Sequence, residues 1–185
     1  MPQPSFTVFD TPIGPCAIAW GPRGVVGSQL PERDEAATRA RIGRRLPDAI
    51  ESAPPEHVQH VVDAVLALLR GGQRDLAHVA LDMTDVAPFE RRVYEITRGI
   101  APGRTLSYGE VARLLGDPGA ARAVGQALGR NPFAPIVPCH RVLAAGGRIG
   151  GFSARGGATA KLRLLAIEGA RAGGEPDLFD APAGP

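Results

Sequence analysis

Residues 107–144, SYGEVARLLGDPGAARAVGQALGRNPFAPIVPCHRVLA, decide how this chain is built. Ser107 and Glu110 have the spacing of a capping box, in which each side chain satisfies a backbone N–H of the other at a helix start. A short helix is expected from there, with Val111, Leu114 and Leu115 facing inward. Gly116-Asp117-Pro118-Gly119 reads as a turn. A second helix follows, built from Ala120, Ala121, Ala123, Val124 and Gly125, with Arg122 as the one long cation in its first turns. It ends before Asn131-Pro132. Two short helices joined by a tight, glycine-containing turn make a helix-turn-helix. Such small side chains let a helix approach DNA closely while Arg122 reaches inward. The same composition also suits a tightly packed interior helix pair with Arg122 as a surface charge.

Next in the chain, PIVPCHRVLA places Cys139 directly before His140 in an apolar run stiffened by Pro135 and Pro138. A free cysteine has a pKa of about 8.5 and is only a few per cent thiolate at pH 7, so a nucleophilic thiol needs a base or a positive environment. His140 is the neighbouring candidate. In an extended strand adjacent side chains point to opposite faces, so joining sulfur to imidazole needs a bend or a bridging water. Glu168, among Leu164, Leu165 and Ile167 near the C-terminal end, is the candidate acceptor for the second imidazole nitrogen. Cys139, His140 and Glu168 would then act as a triad. Taken alone, a Cys-His pair in an apolar strand is more often structural than catalytic.

The rest of the 185-residue chain, 44% hydrophobic, reads as an ordinary globular protein of the α/β (α+β) class. SFTVFD, PCAIAW and VVGSQL are short strands separated by the turns TPIG and GPRG, an antiparallel meander in which Cys16, Ile18 and Trp20 share one face. Cys16 is there a small buried apolar residue. Residues 31–57 form a surface connection with some helix, and a helical stripe from Val58 to Leu69 stops at Gly71-Gly72. His57 and His60 lack acidic or cysteine partners and read as surface or capping residues. LAHVALDM, 76–83, is strand-like, and Pro88 suits a first helical position before Phe89, Val93, Ile96 and Ile100.

Charge divides the chain unevenly. Residues 1–85 carry eight Lys and Arg against eleven Asp and Glu; residues 86–170 carry twelve against five; residues 171–185 carry one against three. The expected organisation is a mixed α/β domain with antiparallel strands at 1–85, a mainly helical domain with the helix-turn-helix at 86–170, and a flexible tail at 171–185. The excess of seven positive charges in the middle segment is the footprint of a polyanion-binding module, nucleic acid first, or else of a solvated basic face. No run approaches the roughly 20 apolar residues of a membrane helix, and MPQPSFTVFD lacks the basic start and apolar core of a signal peptide. A cytoplasmic protein without a membrane partner is expected. Two cysteines without a CxxC or Cys/His cluster suggest neither disulfides nor a metal site.

The helix-turn-helix, PCHRV, the loop GGRIGGFSARGG and the helix KLRLLAIEG follow one another at short spacings, and together residues 86–170 closely resemble the O6-alkylguanine-DNA alkyltransferase family. The resemblance implies irreversible transfer of the alkyl group from O6-alkylguanine, and in some members O4-alkylthymine, to Cys139, with His140 and Glu168 activating the thiol through a water. It needs no cofactor. It implies double-stranded DNA bound by the minor groove, single-stranded DNA as a further partner, a flipped base, and a monomer. Arg122 matches the residue that fills the space vacated by the base, Tyr108 the one that crowds its phosphate, and Asn131 one that fixes the turn before the cysteine. Ala120 and Ala121 match the shallow groove approach, Ser153 a donor to O6, and Phe152 stands where many relatives have tyrosine. Arg130 and Arg141 are candidates for phosphate or structural contacts. The alternative within the resemblance is a lesion-sensing protein that binds the damage without accepting the alkyl group; further off is a helix-turn-helix regulator with a structural cysteine.

Overall fold

Three strands, β1 (Ser5–Phe9), β2 (Cys16–Gly21) and β3 (Gly24–Gln29), pair antiparallel in sequence order, as the alternation and the two tight turns require. The computed structural model describes residues 3–170; the tail expected at 171–185 lies outside the described residues. A two-residue strand, β4 (Ile50–Glu51), adds parallel to β1, giving the order β3-β2-β1-β4. The central strand β2 is covered on both faces. Cys16, Ile18 and Trp20 enter the main core with Val58, Val62 and Val65 of α2 (Glu56–Leu69), as expected of that face. Ala17 and Ala19 pack on the other side with Phe6 and with Ile42 of α1 (Glu35–Arg45), a helix opened by Asp34, whose carboxylate accepts from the Ala37 N–H at 2.8 Å.

Residues 76–83 do not form the expected strand. They run as a loop that makes a single bridge, Leu81 to Val25. The edge of β3 is already divided: the Val25 N–H donates to the Ala80 carbonyl at 2.9 Å, but the Ser28 N–H donates to the Pro132 carbonyl at 2.8 Å. No continuous edge remains for a ladder.

Beyond it come α3 (Pro88–Arg98), β5 (Leu106–Ser107), α4 (Tyr108–Leu114), α5 (Ala121–Gly129), β6 (Val142–Leu143) and α6 (Gly157–Ile167). Pro88 takes the first position of α3 as expected, and β5 and β6 pair parallel. The Tyr94 hydroxyl on α3 donates to the Ala127 carbonyl on α5 at 3.0 Å, and its ring meets Phe133 edge-on at 6.3 Å. Leu114 departs from expectation. Val111, Ala112 and Leu115 take the buried face of α4 and turn Leu114 outward, leaving it 62% exposed. One cluster of buried side chains runs from Ile18 and Val62 through Val93, Val124 and Ile136 to Leu164, continuous across residue 85.

Candidate active site

The strand expected for Pro138-Cys139-His140 is instead a single 3-10 turn, Cys139–Arg141, closed by the Arg141 N–H donating to the Pro138 carbonyl at 2.9 Å. The turn supplies the bend that an extended strand lacks. Its approach is held by Asn131, whose amide Nδ2 donates to the Val137 carbonyl at 2.8 Å while its Oδ1 accepts from the Phe133 N–H at 2.9 Å. Those two bonds close the 131–137 loop and deliver Cys139 to a fixed place.

Behind the cysteine, the His140 Nε2 lies 2.9 Å from Glu168 Oε1, both side chains fully buried. Arg141 is drawn into the same group: its Nε donates to Glu168 Oε2 and its Nη2 to Oε1, each at 2.8 Å, and its Nη1 to the Ile100 carbonyl. Of the two contacts open to Arg141, phosphate or structural, the structure takes the structural one, since the side chain is buried and its donors are bonded internally. Burial opposes ionisation of Glu168, but the hydrogen bonds from His140 and Arg141 outweigh it and hold the carboxyl at about 2. An ionised carboxylate can only accept, so Nε2 carries the imidazole proton and Nδ1 keeps its lone pair. Burial also pushes the His140 pKa down, keeping the ring neutral against the pull of Glu168. Nδ1 is buried and has no hydrogen-bond partner among the described residues.

Burial raises the Cys139 thiol, and the Asn131 side chain, the Lys161 charge and nearby backbone N–H groups work against that rise. Lys161 is the residue that sequence reasoning missed. It is fully buried on α6, donates to the Val142 carbonyl at 2.5 Å and the Gly151 carbonyl at 3.5 Å, and lies 5.6 Å from the centre of the Tyr108 ring. Burial pulls its pKa down to about 8. A signal was present: Lys161, Leu164, Leu165 and Glu168 stand at i, i+3, i+4 and i+7, one helix face, and all four are buried.

In front of the cysteine a cleft of about 460 Å³ is lined by Tyr108, Arg122, Cys139, Phe152 and Ser153, with Ala121 and the small faces of α5. Tyr108 is seated by the capping box, in which Ser107 Oγ accepts from the Glu110 N–H at 3.1 Å and Glu110 Oε2 from the Ser107 N–H at 2.6 Å. Gly125 and Gly150 are its close neighbours; a Cβ at Gly150, where φ is +68°, would come 3.4 Å from the ring. Arg122 is exposed at the rim. Ala120 is buried rather than lining the cleft, and Arg130 turns away to pair with Glu90 at 2.6 Å. Asn131 lies beside Cys139 but outside this cleft. Among the described residues no group of three or more His, Cys, Asp or Glu can hold a metal ion.

Residues 88–170 match the family described as "6-O-methylguanine DNA methyltransferase, DNA binding domain". The methylated-DNA–protein-cysteine methyltransferase of Mycobacterium bovis is 37% identical over 175 residues, which cover 95% of this chain and 98% of that one. The chain belongs to the methylated-DNA–protein-cysteine methyltransferase family. A Thermus thermophilus relative named "DNA base-flipping protein" is 38% identical over 88% of this alkyltransferase and 98% of its own length. The fold agrees as well: the crystal structure of Mycobacterium tuberculosis OGT in complex with DNA superposes with a TM-score of 0.72 at 34% identity, covering 89% of this chain and 92% of that one. The mixed α/β architecture reached from the sequence is that of the family.

Proposed function

We propose that this alkyltransferase repairs DNA by moving the alkyl group of O6-alkylguanine onto its own Cys139, once per molecule. The observation that carries the reading is a cysteine at the base of an open cleft with a neutral histidine and an ionised glutamate packed behind it. His140, proton-accepting at Nδ1, takes the thiol proton through a bridging water, and Glu168 and Arg141 fix the ring's tautomer. Sγ then attacks the alkyl carbon, the carbon–O6 bond breaks with its electron pair left on O6, and the guanine takes up the proton. Ser153, at the cleft wall, donates to O6 as charge develops there. A thioether has no leaving group that water can displace, so the protein is consumed.

Residues 86–170 form the DNA-binding and acceptor unit in this reading, and 1–85 a supporting domain. A thiol set inside the protein cannot reach the alkyl carbon of a stacked base, and extruding the base costs a few kcal/mol. Arg122 at the rim fills the vacated space, Tyr108 crowds the target's phosphate, and the small side chains of α5 approach the minor groove. Phe152 stacks on the extruded base. The protein acts as a cytoplasmic monomer on double-stranded DNA, and on single strands as well; among the described residues no helix is long and apolar enough to cross a membrane.

Incubation with a duplex bearing O6-[methyl-³H]guanine tests this. Label should move from DNA to protein and saturate at one methyl per chain. Tight binding with all label left on the DNA would replace the reading with lesion sensing, and label passing beyond one methyl per chain would exclude a single acceptor.

A further inference from the structure

A second cavity, of about 180 Å³, meets Cys139 from the side of the N-terminal sheet. Gly129, Cys139, Phe152 and Ser153 line both it and the larger cleft, so the two spaces adjoin at Cys139. Its far wall comes from the other half of the chain: Gln29, Glu32, Arg41 and Arg45. That wall carries an excess of positive charge. Arg45 is bonded, among the described residues, only to neutral oxygens: the Ser28 carbonyl at 2.9 Å, Gln29 Oε1 at 3.3 Å and the Pro132 carbonyl at 2.9 Å. Arg41 has Glu32 at 3.9 Å, the outer limit of a salt bridge, and its side chain is half exposed. One carboxylate thus faces two guanidinium groups.

We infer that this cavity receives the outer part of the alkyl group during transfer and favours chains ending in an anion, of which carboxymethyl is the smallest. The inference rests on the alkyl-acceptor reading of Cys139. Displacement at carbon needs Sγ, the carbon and O6 in line, so whatever else the carbon carries must project sideways from that line. The base fills the larger cleft on one side. The free side is the polar cavity, whose volume corresponds to about six waters at roughly 30 Å³ each, enough for a carboxylate and part of its hydration. For a carboxymethyl group the step is the same as for methyl: the C–S bond forms, the C–O6 bond breaks, its electrons stay on O6 and the thiol's proton ends on guanine. The carboxylate stays attached to the transferred carbon, beside Arg41 and Arg45, and its repulsion of the incoming thiolate is offset by those cations.

The test is the ratio of single-turnover rate constants for O6-carboxymethylguanine and O6-methylguanine in the same duplex. Arg45 holds the loop before Cys139, so Arg41 is the residue to change. Arg41→Ala should lower the ratio roughly fivefold and Arg41→Glu further, as for one partly exposed charge pair. Arg39→Ala, on the same helix but outside the cavity and paired with Glu35 and Glu51, should leave the ratio at the wild-type value. A ratio that stays within twofold of wild type in both Arg41 variants, while methyl transfer proceeds, would overturn the cavity assignment alone. Absence of methyl transfer in the wild-type protein would overturn the acceptor reading and this inference with it.

Discussion

The two cysteines lie in regions of similar burial and opposite chemistry. Cys16, on the central strand of the N-terminal sheet, is 1% exposed; Cys139, in the turn after α5, is 6% exposed. Exposure therefore does not separate them. Among the described residues the Cys16 thiol has the Thr11 hydroxyl as its hydrogen-bond partner, at 3.8 Å, and burial pushes the thiol up to about 12. Around Cys139 burial acts in the same direction, but Asn131, Lys161 and backbone N–H groups oppose it, a histidine–glutamate pair stands behind, and a cleft opens in front. A reactive thiol is made by what surrounds it inside the protein, not by moving it to the surface.

That contrast is most easily broken by exchanging the sulfurs for oxygen. Cys139→Ser should abolish alkyl transfer while DNA binding persists, whereas Cys16→Ser should leave the transfer rate within about twofold and cost about 1–3 kcal/mol of stability for a poorly bonded buried hydroxyl. Transfer assays and urea denaturation on the pair give both numbers. Next in size is Glu168→Gln, which turns one of the two acceptor oxygens into an NH2 donor, removes the negative charge that holds the His140 tautomer and strands the Arg141 charge. A rate loss of roughly 10²-fold or more and a stability loss of about 3–5 kcal/mol are expected.

The pH dependence of stability carries the same signature. The folded Glu168 carboxyl lies at about 2, below its unfolded value of about 4.3, so its contribution is complete above the unfolded pKa and is lost as pH falls towards 2. Denaturation midpoints recorded from pH 5 to pH 2 should fall less steeply in Glu168→Gln than in wild type.

Arg122→Ala sharpens the comparison at the cleft mouth. Repair of duplex should slow roughly tenfold to a hundredfold, because the few kcal/mol of base extrusion is no longer offset, while reaction with free O6-alkylguanine base stays near wild type. Equal losses on both substrates would contradict the wedge role. A smaller effect is expected from Lys161→Met: a rate roughly threefold to tenfold lower, with the midpoint of thiol alkylation moved to higher pH because a cation that favours the thiolate is gone. In the wild type that assistance fades as pH rises through about 8, where Lys161 itself loses its proton.

Features encoded by neighbours in sequence were legible; those made by distant contacts were not. The capping box at Ser107 and Glu110, Pro88 at a helix start, and the alternation of Cys16, Ile18 and Trp20 each depend on a few residues of local pattern. The pairing of His140 with Glu168 was reachable because a histidine used as a base needs an acceptor and Glu168 stood in an apolar run. Which of its two candidate contacts Arg141 makes was not legible, because its partners, Glu168 and the Ile100 carbonyl, are 27 and 41 residues away. The strand expected at 76–83 failed for a similar reason, since the edge it needed is partly taken by Pro132, far along the chain. Leu114 was misplaced by counting apolar residues on a seven-residue helix whose inward face Ala112 shares.

Peptide mapping by mass spectrometry, after incubation with duplex carrying O6-methylguanine, tests most directly that the surroundings of residue 139 make its sulfur the acceptor. The peptide containing Cys139 should gain the mass of one methylene, and the peptide containing Cys16 should gain nothing. A methylene on Cys16, or on neither peptide while the DNA loses its lesion, would contradict it.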